Sequence, residues 1–161
     1  MRLLDSNLFI EAKNTYYRFD IAPGFWDWIH AAHANGMVAS IPAVRDELQA
    51  QNDDLAAWAR TLPHTFWLPE TTDTVASMQA LAHWAMTTTR PYTAGARAEF
   101  LNSADYRLIA AAHAGTHIVV TREQSSPNAK NRIRIPDACV DNHVATESPF
   151  DLYAAGGLKL T

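Results

Sequence analysis

Four acidic residues, Asp5, Glu47, Asp105 and Glu123, occupy positions from which carboxylates can meet one another. Asp5 follows the apolar pair Leu3-Leu4, so its side chain emerges at the carboxyl end of a short buried strand, where open α/β sheets place their ligands. The same residue suits a helix N-cap, because Asp5-Ser6-Asn7 precedes Leu8-Phe9-Ile10. Glu47 comes three residues after Val44 and beside Leu48, on the inward side of a helix, although Glu equally suits a helix surface. Asp105 shares the apolar face of Leu108 and Ile109, while a first-turn carboxylate would also complement the helix dipole. Glu123 follows Ile118-Val119-Val120-Thr121, again at a strand's carboxyl end, with the Thr121 hydroxyl beside it. Several ionised carboxylates converge only around a compensating cation, and an all-oxygen set selects Mg²⁺ or Mn²⁺ over zinc.

Short apolar strands alternating with helical stretches must position these acids, the pattern of a parallel sheet covered by helices. After Leu3-Leu4, a helix from Pro23 carries Phe25, Trp28, Ile29 and Ala32 and closes at Asn35-Gly36. Residues 37–41 read as the second strand, and Pro42 opens the helix of Val44, Glu47 and Leu48. Asp53-Asp54 starts a helix through Leu62, and residues 65–68 read as a third strand. Residues 71–102 look largely helical, with a break at 87–91. Ser103 caps a helix that runs to about His113 and ends at Gly115, feeding the strand 118–121. Ile133 and Ile135 alternate with Arg132 and Arg134 as in a strand with one buried face, before Pro136-Asp137 opens a last short helix. Residues 149–161 carry no clear pattern.

The 161 residues, 48% hydrophobic and 19% charged, suit one domain spanning 1–161. The lone Cys139 excludes an intramolecular disulfide and a four-cysteine zinc site. No eighteen-residue apolar run exists, and Asp5 and Asn7 interrupt the first ten residues, so no membrane span or signal peptide is expected and the default location is cytoplasmic. A net charge of -4 argues against wrapping nucleic acid by bulk charge. Neither His30/His33 nor His113/His117 has a cysteine framework or an intervening Glu, which favours structural roles. No G-x-S-x-G elbow, P-loop or G-x-G-x-x-G motif is present.

Asp5-Ser6-Asn7 after the first strand, Glu47 in Val44-Arg45-Asp46-Glu47-Leu48, Asp105 in Ala104-Asp105-Tyr106-Arg107-Leu108-Ile109-Ala110-Ala111, and Val120-Thr121-Arg122-Glu123 together resemble PIN-domain nucleases. The stretch from Asp5 to Phe25, with Glu11-Ala12-Lys13-Asn14, Tyr16-Tyr17, Phe19-Asp20 and Pro23-Gly24-Phe25, is similar to a PIN-like branch of bacterial toxins related to VapC-type toxins. The resemblance implies a three-layer α/β/α fold around a five-stranded parallel sheet in the order 3-2-1-4-5. It implies that Asp5, Glu47, Asp105 and Glu123 are catalytic and bind Mg²⁺ or Mn²⁺, with Asn7 and Thr121 orienting a carboxylate, a water or the scissile phosphate. The fourth acid of the family is usually Asp; here it is Glu123, one methylene longer, with Asp137 as an alternative to it. The implied activity is endoribonuclease cleavage of single-stranded or structured RNA leaving a 5′-phosphate. The implied role is the toxin of a toxin-antitoxin pair whose antitoxin covers the acidic site, with homodimerisation left open.

Arg122, Lys130, Arg132 and Arg134 supply local positive charge that could track an RNA backbone, or could merely solubilise an edge strand. Tyr16, Tyr17, Trp26 and Trp28 suit core packing, base stacking or a partner. Phe25 and Trp28 fit the buried helix face, and Trp26 falls off it as the interface candidate. Two rival functions share the same acids: a non-catalytic PIN-like module that binds RNA or protein, and a metal-dependent DNA nuclease or phosphatase.

Overall fold

Leu3 and Leu4 lie in the central strand of the sheet and have no exposed surface. The structure, a computed structural model, describes residues 1–160. Strands β1 (Arg2–Leu4), β2 (Val38–Ala39), β3 (Ile118–Val120) and β4 (Thr146–Glu147) form an all-parallel sheet in the order β2-β1-β3-β4. Leu3 pairs with Ala39 on one side and Val119 on the other. Parallel neighbours cannot be joined by tight turns, so helices make each crossover. Helices α1 (Ser6–Asn14) and α2 (Pro23–Ala34) lead to β2. Helices α3 (Pro42–Gln49), α4 (Asp54–Ala59), α5 (Thr72–Thr87), α6 (Ala94–Leu101) and α7 (Ala104–Gly115) lead to β3. Helix α8 (Ile135–Asp141) leads to β4, and α9 (Pro149–Ala155) follows it. No helix among the described residues is long and apolar enough to cross a membrane.

Local signals set the helix ends. The side chains of Asp5, Asp53, Thr71, Thr93, Ser103 and Ser148 each accept a backbone N–H at an N-terminus. Pro occupies the first turn of α2, α3, α8 and α9, where its missing N–H costs nothing. Gly36 follows α2 with φ +73, the left-handed conformation that glycine adopts without strain. At the end of α7 the left-handed residue is Thr116, with φ +55, rather than Gly115. Gly115 is needed for space instead, since a Cβ there would run into the His117 ring. Packing joins α5 to α7, α7 to α3, α8 and β3, and α1 to α3 and α4.

The sheet differs from the five strands expected. Residues 65–68 form no strand: His64–Phe66 is a 3₁₀ turn, and Trp67 makes a single parallel bridge to Ser40. Pro63 and Pro69 bracket this segment and leave it too short to pair further. The alternating Ile133 and Ile135 are both buried, but no strand forms there; Ile135 begins α8, and β4 takes the place beside β3. The break at 87–91 separates α5 from α6 as expected, and four carbonyls around it, of Ala85, Thr88, Arg90 and Tyr92, accept N–H groups of Arg97.

Trp26, expected at an interface, is 2% exposed. Its indole N–H donates to the Tyr17 carbonyl at 2.7 Å, and its ring stacks on Phe19 at 4.1 Å and meets Trp58 edge-on at 4.7 Å. The segment before α2 folds back and covers the face that the helix alone leaves open. Trp28 is half-buried, with its indole N–H on the Gly156 carbonyl at 3.1 Å, and Tyr16 remains exposed. In urea melts, Trp26→Ala should therefore cost roughly 3–5 kcal/mol, and Tyr16→Ala about 0.5 kcal/mol or less. A small loss for Trp26→Ala would return that side chain to the surface.

Candidate functional site

Asp5 stands where β1 ends and α1 begins, and its backbone is extended at φ −73 and ψ 149. Its amide donates to the Val120 carbonyl at 3.4 Å, which ties the end of β1 to the end of β3. Its Oδ1 accepts the Asn7 N–H at 3.5 Å, so one carboxylate both caps the helix and sits at the rim. The Thr121 hydroxyl donates to Oδ2 at 3.4 Å. Asn7 is exposed and contributes its backbone N–H rather than the side chain expected to orient a ligand.

Ser6 was not among the sequence candidates. It is buried, and its hydroxyl donates to Glu47 Oε2 at 2.6 Å while lying 3.5 Å from Asp5 Oδ1. One small hydroxyl thus spans two carboxylates that are 42 residues apart in the chain. Glu47 itself is exposed on α3 rather than inward-facing, yet its carboxylate reaches the rim through this bond. Asp105 is half-buried in the first turn of α7 and accepts no hydrogen bond among the described residues. Both oxygens of Glu123 are occupied: Oε2 accepts the Ile135 N–H at 2.8 Å and Oε1 accepts from the Arg132 guanidinium.

The four acids feel one another. Burial pushes the Asp5 carboxyl up to about 7, and the charge of Asp105, then those of Glu123 and Glu47, add to it against the Asn7 N–H. Burial also raises Asp105 to about 6, reinforced by Glu123 and Glu47 and opposed by Arg132. No Lys, Arg or His among the described residues forms an ion pair with Asp5, Glu47 or Asp105. Burial, with help from Asp105 and Glu123, raises the thiol of the fully buried Cys139 in α8 to about 12, so it stays neutral.

Asp137 is taken up elsewhere. It is 1% exposed and accepts from the Ser125 hydroxyl at 2.6 Å, the Ser126 N–H at 2.9 Å and Arg90 at 3.4 Å, fixing the loop after β3. The basic residues are dispersed. Arg122 pairs with Glu11 at 2.9 Å and covers the Phe150 ring, Arg132 pairs with Glu123, and Arg134 has a buried Nε without a partner. Lys130 is exposed and forms no ion pair among the described residues. His30 and His33 meet Thr61 and Thr65, and His113 meets Ser77, away from the acids.

As the side chains lie, no three His, Cys, Asp or Glu groups among the described residues close on one point as metal ligands. The donor set is nevertheless suited to a hard dication: carboxylate and hydroxyl oxygens only, with two acids raised by burial and by their neighbouring carboxylates. Three clefts open on this rim, one of them, of about 280 Å³, lined by Thr121, Glu123 and Glu147. Of the other two, one of about 180 Å³ is lined by Asp105, Arg132, Ser103 and Phe100, and one of about 300 Å³ by Glu47, Lys13 and Asp53.

A family model described as a domain of unknown function, DUF4411, matches residues 3–160. The chain belongs to the DUF4411 family. No curated protein and no solved structure matches it. The DUF4411 match takes in all four carboxylates, both supporting hydroxyls and the Arg132–Glu123 pair, so the rim lies wholly inside the family's domain.

Because Asp5 and Asp105 hold protons more readily when folded than at their ordinary 3.8, the folded chain binds more protons from about pH 4 to pH 7. Their contribution is therefore complete below pH 4 and lost as pH rises through 7. Without added metal, stability should fall between pH 4 and pH 7 and level off above it, and Asp5→Asn should flatten that fall and stabilise the chain at pH 8 by on the order of 3 kcal/mol. Urea midpoints across this range check it; a wild-type profile as flat as that of Asp5→Asn contradicts it.

Proposed function

We propose that this DUF4411 chain is a Mg²⁺- or Mn²⁺-dependent endoribonuclease of PIN-like architecture and the toxin of a toxin-antitoxin pair. The observation that carries the reading is the gathering of carboxylates from four separate segments of the chain, three of them, Asp5, Glu47 and Asp105, without an ion-pair partner among the described residues, with Asp5 raised to about 7 by burial and its neighbours. A dication bound there would activate water and offset charge developing on a scissile phosphodiester. Asp5 and Asp105 are the acids best placed to hold it, Ser6 steadies Glu47, and Thr121 steadies Asp5. No protein nucleophile is required. The parallel bridge of Trp67 to Ser40, beyond β2, supports a five-strand order of 3-2-1-4-5 in which that segment stands third. RNA as substrate, the 5′-phosphate product and an inhibitory antitoxin rest on the resemblance to PIN-domain nucleases.

A second reading, the non-catalytic RNA- or protein-binding module, is favoured by one observation: both oxygens of Glu123 are already engaged. Cleavage of a labelled RNA pool by the full chain with Mn²⁺, Mg²⁺ or EDTA decides between them. The nuclease should cut only with metal, and Asp5→Asn and Asp105→Asn should each lower the rate by on the order of 100-fold or more. Competition by single-stranded DNA and by a phosphomonoester separates a ribonuclease from a DNA nuclease or phosphatase. A folded chain that cuts nothing yet binds RNA would establish the module instead.

A further inference from the structure

The Arg132–Glu123 ion pair joins two side chains of unequal freedom. Glu123 is 10% exposed and anchored at Oε2 by the Ile135 N–H, whereas the Arg132 side chain is 52% exposed. The carboxylate is the fixed end and the guanidinium the free one. Arg132 also lines the cleft of about 180 Å³ that contains Asp105, so it borders one opening by which a phosphate would approach the acids. The other cations of the region do not share this position: none of Arg122, Lys130 and Arg134 lines that cleft. Arg122 is bound to Glu11 and lies over Phe150, and Arg134 has its Nε buried. A guanidinium matches phosphate oxygens in the same two-pronged geometry as carboxylate oxygens, and an ion pair with one exposed partner is weak enough to exchange.

We infer that Arg132 exchanges partners at this site, holding Glu123 Oε1 while no substrate is present and passing to a phosphate of the RNA strand when it arrives. The exchange leaves Glu123 Oε1 to the dication while Oε2 stays on the Ile135 N–H. The inference rests on the dication reading above and adds to it a substrate-binding residue and a coupling: metal and substrate each favour the state in which Arg132 has left Glu123. Arg132 is thereby a contact for the phosphate immediately beside the scissile bond, and the fourth acid becomes a full ligand only with substrate in place.

A double-mutant cycle on the full chain tests this, with calorimetric titration of Mn²⁺ alone and RNA cleavage kinetics as readouts. Arg132→Ala should bind Mn²⁺ about threefold to fivefold more tightly than wild type, the size expected for losing a partly exposed ion pair. It should also raise KM for RNA by roughly tenfold while kcat changes little. In a Glu123→Gln background, Arg132→Ala should leave Mn²⁺ affinity unchanged. A gain of the same size in that background would reduce Arg132 to a general electrostatic effect and overturn the exchange. Equal or weaker Mn²⁺ binding in Arg132→Ala, with an unchanged thermal midpoint, would also overturn it while leaving the dication reading intact. Failure of wild type to bind Mn²⁺ at all, with Asp105→Asn indistinguishable from it, would remove both.

Discussion

A carboxylate buried at the end of the central strand is the constraint around which this site is organised. β1 is flanked by β2 and β3, so the residue that leaves it has strands on both sides and a helix starting above it. A charge in such a place is costly unless hydrogen bonds or a counter-charge offset the loss of water. Asp5 receives only contacts of 3.4 to 3.5 Å, from the Asn7 N–H and the Ser6 and Thr121 hydroxyls. These are too long to restore what water supplied, which is why burial leads the causes that raise its titration.

The position of the fourth acid is decided outside the rim. The loop after β3 is held by Asp137, whose buried carboxylate takes two donors from Ser125 and Ser126 and faces Arg90. Arg90 in turn grips Asp141 through two bonds of 2.7 and 2.9 Å, joining the turn between α5 and α6 to the end of α8. A buried ion pair is tolerable only when its remaining valences are met, as they are for Asp137. The effect is to fix α8 and the chain leading into it, and with them the Ile135 N–H that holds Glu123. Asp137, read from sequence as a substitute ligand, instead sets the stage on which Glu123 and Arg132 meet.

The sequence was most legible where a local rule acts. Pro23, Pro42 and the Ser103 cap marked helix starts, and the passage from α7 into β3 followed from that cap, the stop at Gly115 and the apolar run after it. Residues 149–161, read as patternless, instead open on the Ser148 cap and Pro149 of α9. Alternation at Ile133 and Ile135 correctly signalled two buried side chains, but period two reports which way side chains face and says nothing of a partner strand. Trp26 was misjudged because a helical wheel weighs a residue only against its own helix, and Tyr17 and Phe19 come from outside it. In the site, Asp5 and Asp105 were readable from strand end and helix face. Ser6 and the Arg132–Glu123 pair were not, since each depends on where a distant or irregular segment closes back.

The rim also shows how far backbone dipoles go in managing gathered acids. Asp5 caps α1, Asp105 sits in the first turn of α7, and Glu123 takes the first N–H of α8, so three of the four carboxylates lie at positive helix ends. Such ends favour an anion by up to about 2 kcal/mol in partly buried geometry, a contribution already present in the folded chain. Burial and mutual repulsion still dominate, because Asp5 and Asp105 remain raised to about 7 and 6. Backbone N–H groups therefore anchor Asp5 and Glu123 without offsetting the charge gathered on the rim. What completes the balance must be either protons, at the cost of stability as pH rises, or a mobile cation, which would trade that cost for affinity.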